Sequence, residues 1–187
     1  MDIFSHGLWA GAAAKGLNKR GDGHRRLNVW ATALWGVFPD LFAFGLPFIF
    51  IVWSVAFGGS SFSDFGGHSR IAEPMSADTL AVFQFSNALY NVSHSLIVFA
   101  AVFFSVWVHF KEFRLELLGW LVHILMDVPT HTYEFYPTPV FWPLFDWKFD
   151  GFSWGQPWFM VLNFTLLIIV YGVLLTKRGK GEIDKKG

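Results

Sequence analysis

The chain has 187 residues, of which 53% are hydrophobic and only 15% are charged. A soluble domain carries about 25% charged residues, so this composition predicts a protein whose solvent is lipid. The formal net charge is zero and there is no cysteine, which excludes bulk attraction to nucleic acid, disulfides and thiolate metal ligands. The length suits one domain.

The first predicted element is a short membrane-associated helix at residues 4–17, which are small and apolar at helical spacing. No basic region precedes this stretch, so we expect it to stay in the protein and not to be a cleavable signal peptide. Val29–Phe57 follows and exceeds the roughly 20 residues needed to cross a bilayer. Pro39 and Pro47 interrupt it, so it is either one kinked span or two half-segments that break at Pro39.

Three further apolar stretches complete the pattern, at 87–110, 115–128 and 157–175. Only helices and closed barrels satisfy their backbone polar groups in lipid, and stretches of this length indicate helices. The sequence therefore predicts an all-α fold, a polytopic transmembrane helix bundle of about four to five membrane helices. We assign residues 1–176 to this bundle and predict a disordered, basic cytoplasmic tail at 177–187.

The basic residues predict the orientation of the bundle. They are concentrated in two clusters, at 15–26 and 177–186. Because basic loops stay on the cytoplasmic side, both clusters should be cytoplasmic and Val29–Phe57 should cross once. The polar loop at 58–86 and the aromatic loop at 130–156 then face outward. We therefore expect an integral protein of the cell (inner) membrane with a cytoplasmic C-terminus.

Five ionisable residues lie within the apolar stretches at similar predicted depth: His6, Asp40, His94, His123 and Asp127. A charge at the centre of a spanning helix costs about 2.5–3.5 kcal/mol on insertion scales, so these residues need compensation. A divalent cation would supply it, because imidazole and carboxylate both bind metals. His123 and Asp127 are at i and i+4, so they share one helix face and can hold one ion. Asp40 follows Pro39, where a broken helix would line protein or water.

Each of these histidines also has a simpler interpretation. A single histidine in a span often serves only as a hydrogen-bond partner for a neighbouring helix, and this applies to His6 taken alone. The His123/Asp127 pair could likewise be an interhelical polar contact. We expect His109 to be interfacial and His24 and His68 to be solvated, uninvolved loop residues. His131 follows Pro129-Thr130 and could be either a ligand or a loop residue.

Five short blocks occur in order along most of the chain: SHGL at 5–8, VFPDL at 37–41, VSHSL at 92–96, GWLVHILMD at 119–127 followed by Thr130, and FWPLFDW at 141–147. Their order and spacing resemble those of the YdjM-like membrane-bound metal-dependent hydrolases. That family's pattern is in turn similar to that of zinc-dependent phospholipase C and the fungal zinc nucleases. Those proteins are helical enzymes in which histidine and aspartate bind zinc and which cleave phosphodiesters.

The resemblance implies a divalent metal, with zinc as the expected ion. His94, His123 and Asp127 would be ligands, and Asp40 and His6 would be ligands or near-ligands.

Two positions depart from the family pattern. Phe42 stands where a second aspartate usually follows Pro-Asp, and Leu89 and Tyr90 stand where a His-Arg pair usually occurs. His131 or Asp146 could supply replacement ligands.

The leading hypothesis is a metal-dependent hydrolase that acts in the membrane on a phosphate ester of a lipid, with membrane lipids as its partners. Bound zinc lowers the pKa of its water towards about 7. Asp40 or Asp127 could act as general base. Lys148 and Arg70, in the outer loops, could meet a phosphate, although solvated surface charge is the simpler interpretation.

The alternative is a non-enzymatic membrane protein, either a metal carrier or a scaffold whose structural metal ties helices together. A carrier needs polar residues along a path to both sides, whereas the cytoplasmic half of the predicted spans is almost wholly apolar. No pattern in the sequence indicates an oligomeric state or a nucleic-acid partner.

Overall fold

The computed structural model describes residues 1–19, 26–65 and 79–183. His24, His68 and Arg70 lie outside these ranges. The described residues form six α-helices and no sheet, which confirms the predicted all-α fold. The helices are α1 (Ile3–Lys19), α2 (Val29–Phe57), α3 (Ala81–Ser93), α4 (Leu96–Phe110), α5 (Leu118–Thr130) and α6 (Pro157–Ile183).

Helix α2 is continuous through both of its prolines, so of the two alternatives the single segment is the one observed. Asn28 begins the helix: its side-chain oxygen accepts hydrogen bonds from the backbone N–H groups of Trp30 and Ala31, both at 3.1 Å. This cap satisfies two of the donors that the first turn leaves unpaired. Asp40 therefore sits in the middle of one long helix and not at a break.

The predicted span at 87–110 is not one helix. It divides at His94 and Ser95 into α3 and α4, whose axes differ by 60°. The Ser95 side chain caps α4 by accepting from the backbone N–H groups of Ile97 and Val98. A serine that caps a new helix ends the previous one, because its own backbone is extended and not helical. The bend leaves His94 at the joint. Helix α3 also begins earlier than the predicted end of the polar loop at residue 86.

The number of membrane-spanning helices is lower than predicted. Within the described residues, α2 and α6 are long and apolar enough to cross a membrane, and the bent α3–α4 pair makes a third if it counts as one span. Helices α1 and α5, with 17 and 13 residues, are too short. The expectation of four to five spanning helices is therefore wrong, because two of the predicted membrane helices pack against the long ones without matching their length.

The predicted disorder of the tail is also wrong over residues 177–183, where α6 continues to Ile183. Once a helix has formed, each further residue adds a hydrogen bond at little cost, and this favours extension beyond the apolar span. Residues 184–187 lie outside the described part of the chain.

Close helix packing brings the ionisable residues together. A Cβ at Gly36 of α2 would lie 2.6 Å from the Ala10 Cβ and 2.9 Å from the His6 carbonyl oxygen, both in α1. A Cβ at Gly119 of α5 would collide with the Thr32 carbonyl oxygen of α2. Glycine thus allows α1 and α5 to approach the backbone of α2 directly, as small residues do between membrane helices.

Two contacts define one end of the bundle, here called the basic end. The Lys19 Nζ donates to the Leu174 carbonyl oxygen at 2.6 Å, which joins the last residue of α1 to α6. The Asn28 backbone N–H donates to the Glu116 Oε1 at 3.3 Å, which joins the start of α2 to the segment before α5. Helices α1 and α6 therefore run towards this end, and α2 and α5 run away from it.

We predict that reporter fusions at Gly21 and Gly179 both score cytoplasmic and that a fusion at Gly67 scores external. The reason is that the described residues of each basic cluster belong to the ends of α1 and α6 that run to the basic end, and basic segments stay inside. Gly21 and Gly67 lie outside the described residues. Opposite sides for Gly21 and Gly179 would contradict the arrangement of α1 and α6.

Candidate metal centre

Three elements place four of the predicted residues around one small space. Asp40 comes from the middle of α2, His94 from the α3–α4 joint, and His123 and Asp127 from successive turns of α5. All four are buried, and one potential ligand atom from each lies within 4.8 Å of the others. This group, called here the four-residue cluster, was identified from the sequence, and the structure brings its members together.

The distances between its atoms suit a metal ion. The Nε2 atoms of His94 and His123 are 3.0 Å apart, and the Asp127 Oδ2 is 3.1 Å from the His123 Nε2 and 3.4 Å from the His94 Nε2. The Asp40 Oδ1 is 3.6 and 3.7 Å from the same two nitrogens. Ligand atoms placed tetrahedrally at about 2.0–2.2 Å from zinc are roughly 3.3–3.6 Å apart. The cluster therefore already has the spacing of a ligand set.

The other ring nitrogens orient the two histidines. The His123 Nδ1 lies 2.7 Å from the Gly36 carbonyl oxygen, which can only accept, so this nitrogen carries a hydrogen. The His94 Nδ1 lies 2.9 Å from the Ser93 hydroxyl and 3.2 Å from the Tyr90 carbonyl oxygen. The Nε2 atoms of both rings point into the cluster. Histidines that bind metals are oriented in this way by a partner on the opposite nitrogen.

Two carboxylates converge in this buried space, and their like charges repel unless a cation lies between them. The Asp127 Oδ2 has no hydrogen-bond donor although it is completely buried. An unpaired buried charge is costly, and a divalent ion would balance the two carboxylates. The cluster of Asp40, His94, His123 and Asp127 could therefore hold a divalent metal ion.

His6, the fifth predicted residue, lies beside the cluster. Its ring stacks on His123 with centroids 3.7 Å apart, and its Nε2 is 3.0 Å from the Asp127 Oδ1. Neither ring nitrogen has a hydrogen-bond partner of good geometry. The amino group of Met1 also approaches the same carboxylate oxygen, at 2.6 Å. Asp127 thus turns one oxygen towards the cluster and the other towards His6 and Met1.

The structure distinguishes the two possible replacement ligands. His131 is buried, and its Nε2 is 3.4 Å from the Asp127 Oδ1, while its Nδ1 lies 2.8 Å from the Tyr136 carbonyl oxygen. Burial lowers the pKa of His131 to about 4, against the opposing effect of Asp127, so the ring is neutral at pH 7. Asp146 is 89% exposed and lies 3.7 Å from the Lys148 Nζ. His131 is therefore part of the surroundings of the site, and Asp146 is a surface residue.

Tyr90 belongs to the site, although reasoning from the sequence did not place it there. Its ring stacks on His94 with centroids 3.7 Å apart, and its hydroxyl donates to the Tyr136 carbonyl oxygen at 2.8 Å. The hydroxyl is also 2.9 Å from the His131 Nδ1. The i, i+4 spacing of Tyr90 and His94 could have indicated this contact. The other departure from the family pattern, Phe42, packs on Phe38 away from the cluster.

A cavity of about 700 Å³ borders the cluster on one side. Asp40 and His131 form part of its lining. The Asp40 side chain is 12% exposed, whereas those of His94, His123 and Asp127 are completely buried. Within the cluster, Asp40 is thus the member that a molecule in the cavity could reach.

Comparison with protein-family models finds no match to this chain, and comparisons with curated proteins and with solved structures find none either. The resemblance to YdjM-like hydrolases accordingly stays a prediction from five sequence blocks. The buried cluster supports metal binding independently of that resemblance.

Proposed function

We propose that this protein is a membrane-embedded, metal-dependent hydrolase that acts on a phosphate ester of a lipid. The observation that carries the proposal is the four-residue cluster, which has ligand-like distances and one member, Asp40, open to a cavity. Catalytic metal sites keep one position accessible, whereas structural sites are closed by the protein. The lipid substrate follows from the location of the cluster in a helical bundle with candidate membrane spans.

The residues divide into two roles. A divalent metal held by His94, His123 and Asp127, with Asp40 left free at the cavity, would supply an activated water and would stabilise negative charge that develops on a phosphate. Asp40, at the edge of the cavity, is the better placed carboxylate to accept a proton from that water. Asp127 is completely buried between His123, His6 and the Met1 amino group, so we assign it to holding the metal and orienting these neighbouring groups. Both carboxylates were candidates for the general base, and their exposure favours Asp40.

The alternative is a structural metal that ties helices together. Its supporting observation is that the cluster joins α2, α5 and the α3–α4 joint, with three of its four side chains completely buried. Metal transport has less support: Trp120 and Ile124, in α5, pack with Phe99 into an apolar cluster next to His123. Apolar packing beside His123 disfavours a polar path for an ion along α5.

Hydrolysis by the wild-type protein tests the proposal. Protein purified in detergent and loaded with zinc or manganese is offered a lipid phosphomonoester and a lipid phosphodiester in mixed micelles. We expect release of phosphate or of a phosphorylated headgroup, its loss after chelation and its return on adding metal. If protein with full metal occupancy hydrolyses neither ester, the enzymatic proposal fails and the structural metal remains.

A further inference from the structure

The cavity beside the four-residue cluster is long and mostly apolar, which binding a metal ion does not require. It is bounded by α1, by α2 and by the segment 131–156. Polar groups gather near the metal cluster, where Asp40 and His131 contribute to the wall. Most of the remaining lining is apolar and includes Phe44, Phe135 and Trp154. Ligand pockets of proteins commonly have such volumes and such a distribution of a few polar groups in an apolar wall.

Helix α2 supplies one long wall of the cavity. Asp40, Leu41, Phe44, Gly45 and Phe48 line it, at positions that recur on one helix face. At about 1.5 Å per residue, the distance from Asp40 to Phe48 along the helix is roughly 12 Å. The cavity is thus a groove that begins at the Asp40 carboxylate and continues along apolar side chains.

Exposed apolar side chains of α2 border the groove. Leu41 is 55% exposed and Phe48 is 67% exposed, and both belong to the helix that is a candidate membrane span. Large exposed apolar side chains on a membrane helix face hydrocarbon. An apolar groove offers water few hydrogen-bond partners, so hydrocarbon is its favourable content. A molecule could therefore enter laterally from the bilayer without crossing water.

We propose that this groove holds one hydrocarbon chain of a membrane lipid whose phosphate group lies at the four-residue cluster. The assignment of the phosphate rests on the proposed function, while the occupation of the groove by the chain does not. The chain lies against Phe44 and Phe48 of α2, and its polar end meets Asp40. The substrate class is thereby a lipid phosphate and not a water-soluble phosphate ester.

Gly45 provides a specific way to close the groove. A Cβ built at Gly45 meets no heavy atom within 4 Å, so a side chain there projects into open space and not into the protein. Gly172 of α6 likewise meets nothing within 4 Å and does not line the groove. Replacement of glycine inside a helix also removes a residue of poor helix propensity, so neither substitution is expected to weaken its helix. Gly45→Trp and Gly172→Trp are therefore a matched pair.

The test uses a phosphatidic acid with a photoactivatable diazirine near the end of one acyl chain. Full-length wild type, Gly45→Trp and Gly172→Trp are reconstituted in nanodiscs with this lipid, irradiated and digested, and the labelled residues are mapped by mass spectrometry. We expect wild type and Gly172→Trp to be labelled at Phe44, Phe48 and Trp154, and Gly45→Trp to lose these labels. Hydrolysis of the long-chain lipid should fall by about tenfold or more in Gly45→Trp, because remote binding energy is lost, and should stay at the wild-type level in Gly172→Trp.

The outcomes separate the two proposals. Suppose that wild type is labelled in the groove, that Gly45→Trp loses these labels, and that wild type hydrolyses no lipid phosphate. This result would support the groove as a lipid site and refute the hydrolase. Labelling that Gly45→Trp leaves unchanged would overturn the groove assignment. Absence of groove labels in wild type would overturn it as well.

Discussion

Purified protein should contain a bound divalent metal, and His123→Ala and Asp127→Ala should each remove most of it. The His123 Nε2 lies 3.0–3.7 Å from a potential ligand atom of each of the other three residues, and the Asp127 Oδ2 lies 3.1 and 3.4 Å from the two histidine nitrogens. Removing only an outer partner of a ligand commonly costs about 10–100-fold in metal affinity, so loss of a ligand should cost at least as much. The measurement is metal content by mass spectrometry after dialysis against a weak chelator.

Two further variants calibrate this experiment. His109→Ala should leave the metal content unchanged, because His109 is an exposed residue near the end of α4. His6→Ala should have an intermediate effect, since His6 stacks on His123 and contacts the far oxygen of Asp127. Equal metal content in wild type, His123→Ala and Asp127→Ala would end the metal hypothesis for α5.

Asp40→Asn should abolish most of the hydrolytic activity while leaving the protein folded. The amide keeps the shape of the carboxylate but cannot accept a proton as a base, and loss of a general base typically slows turnover by about 10²–10⁴-fold. Stability should change little, because Asp40 borders the cavity and the helices around it are held by close packing at Gly36 and Gly119. The measurements are turnover on a lipid phosphate, the midpoint of thermal unfolding in detergent, and metal content.

Asp146→Asn is the matched control, because Asp146 is a carboxylate of the same chain that is 89% exposed. It should behave as wild type in all three measurements. A structural metal gives the reverse pattern for Asp40→Asn: a lower unfolding midpoint, with no turnover in either variant or wild type. That result would replace the hydrolase with a metal-stabilised helix bundle.

Several features of the fold follow from local sequence patterns. Low charge and long apolar stretches predicted helices in lipid, and α2 and α6 have the required length. The i, i+4 spacing of His123 and Asp127 placed them on one face because an α-helix repeats every 3.6 residues, whatever surrounds it. The high cost of burying charge singled out Asp40 and His94 before any contact was known.

Other features depend on how the helices pack. The 60° bend at His94 arises where Ser95 starts a new helix within an apolar run, and hydropathy cannot distinguish such a joint from a straight span. Hydropathy likewise overestimated the number of spans. Helices α1 and α5 are apolar because they pack against α2, but they are too short to cross a bilayer.

The sequence by itself determined the helical class, the membrane as the expected solvent and a set of five ionisable residues that includes the four of the cluster, because composition and helical period are local properties. Only the tertiary structure decided that these residues converge, since they come from helices far apart in the chain. It also decided that Asp127 turns its second oxygen to His6, and that Tyr90 and His131 surround the cluster. These relations depend on the close approach of α1 and α5 to α2 at Gly36 and Gly119, which only packing in three dimensions creates.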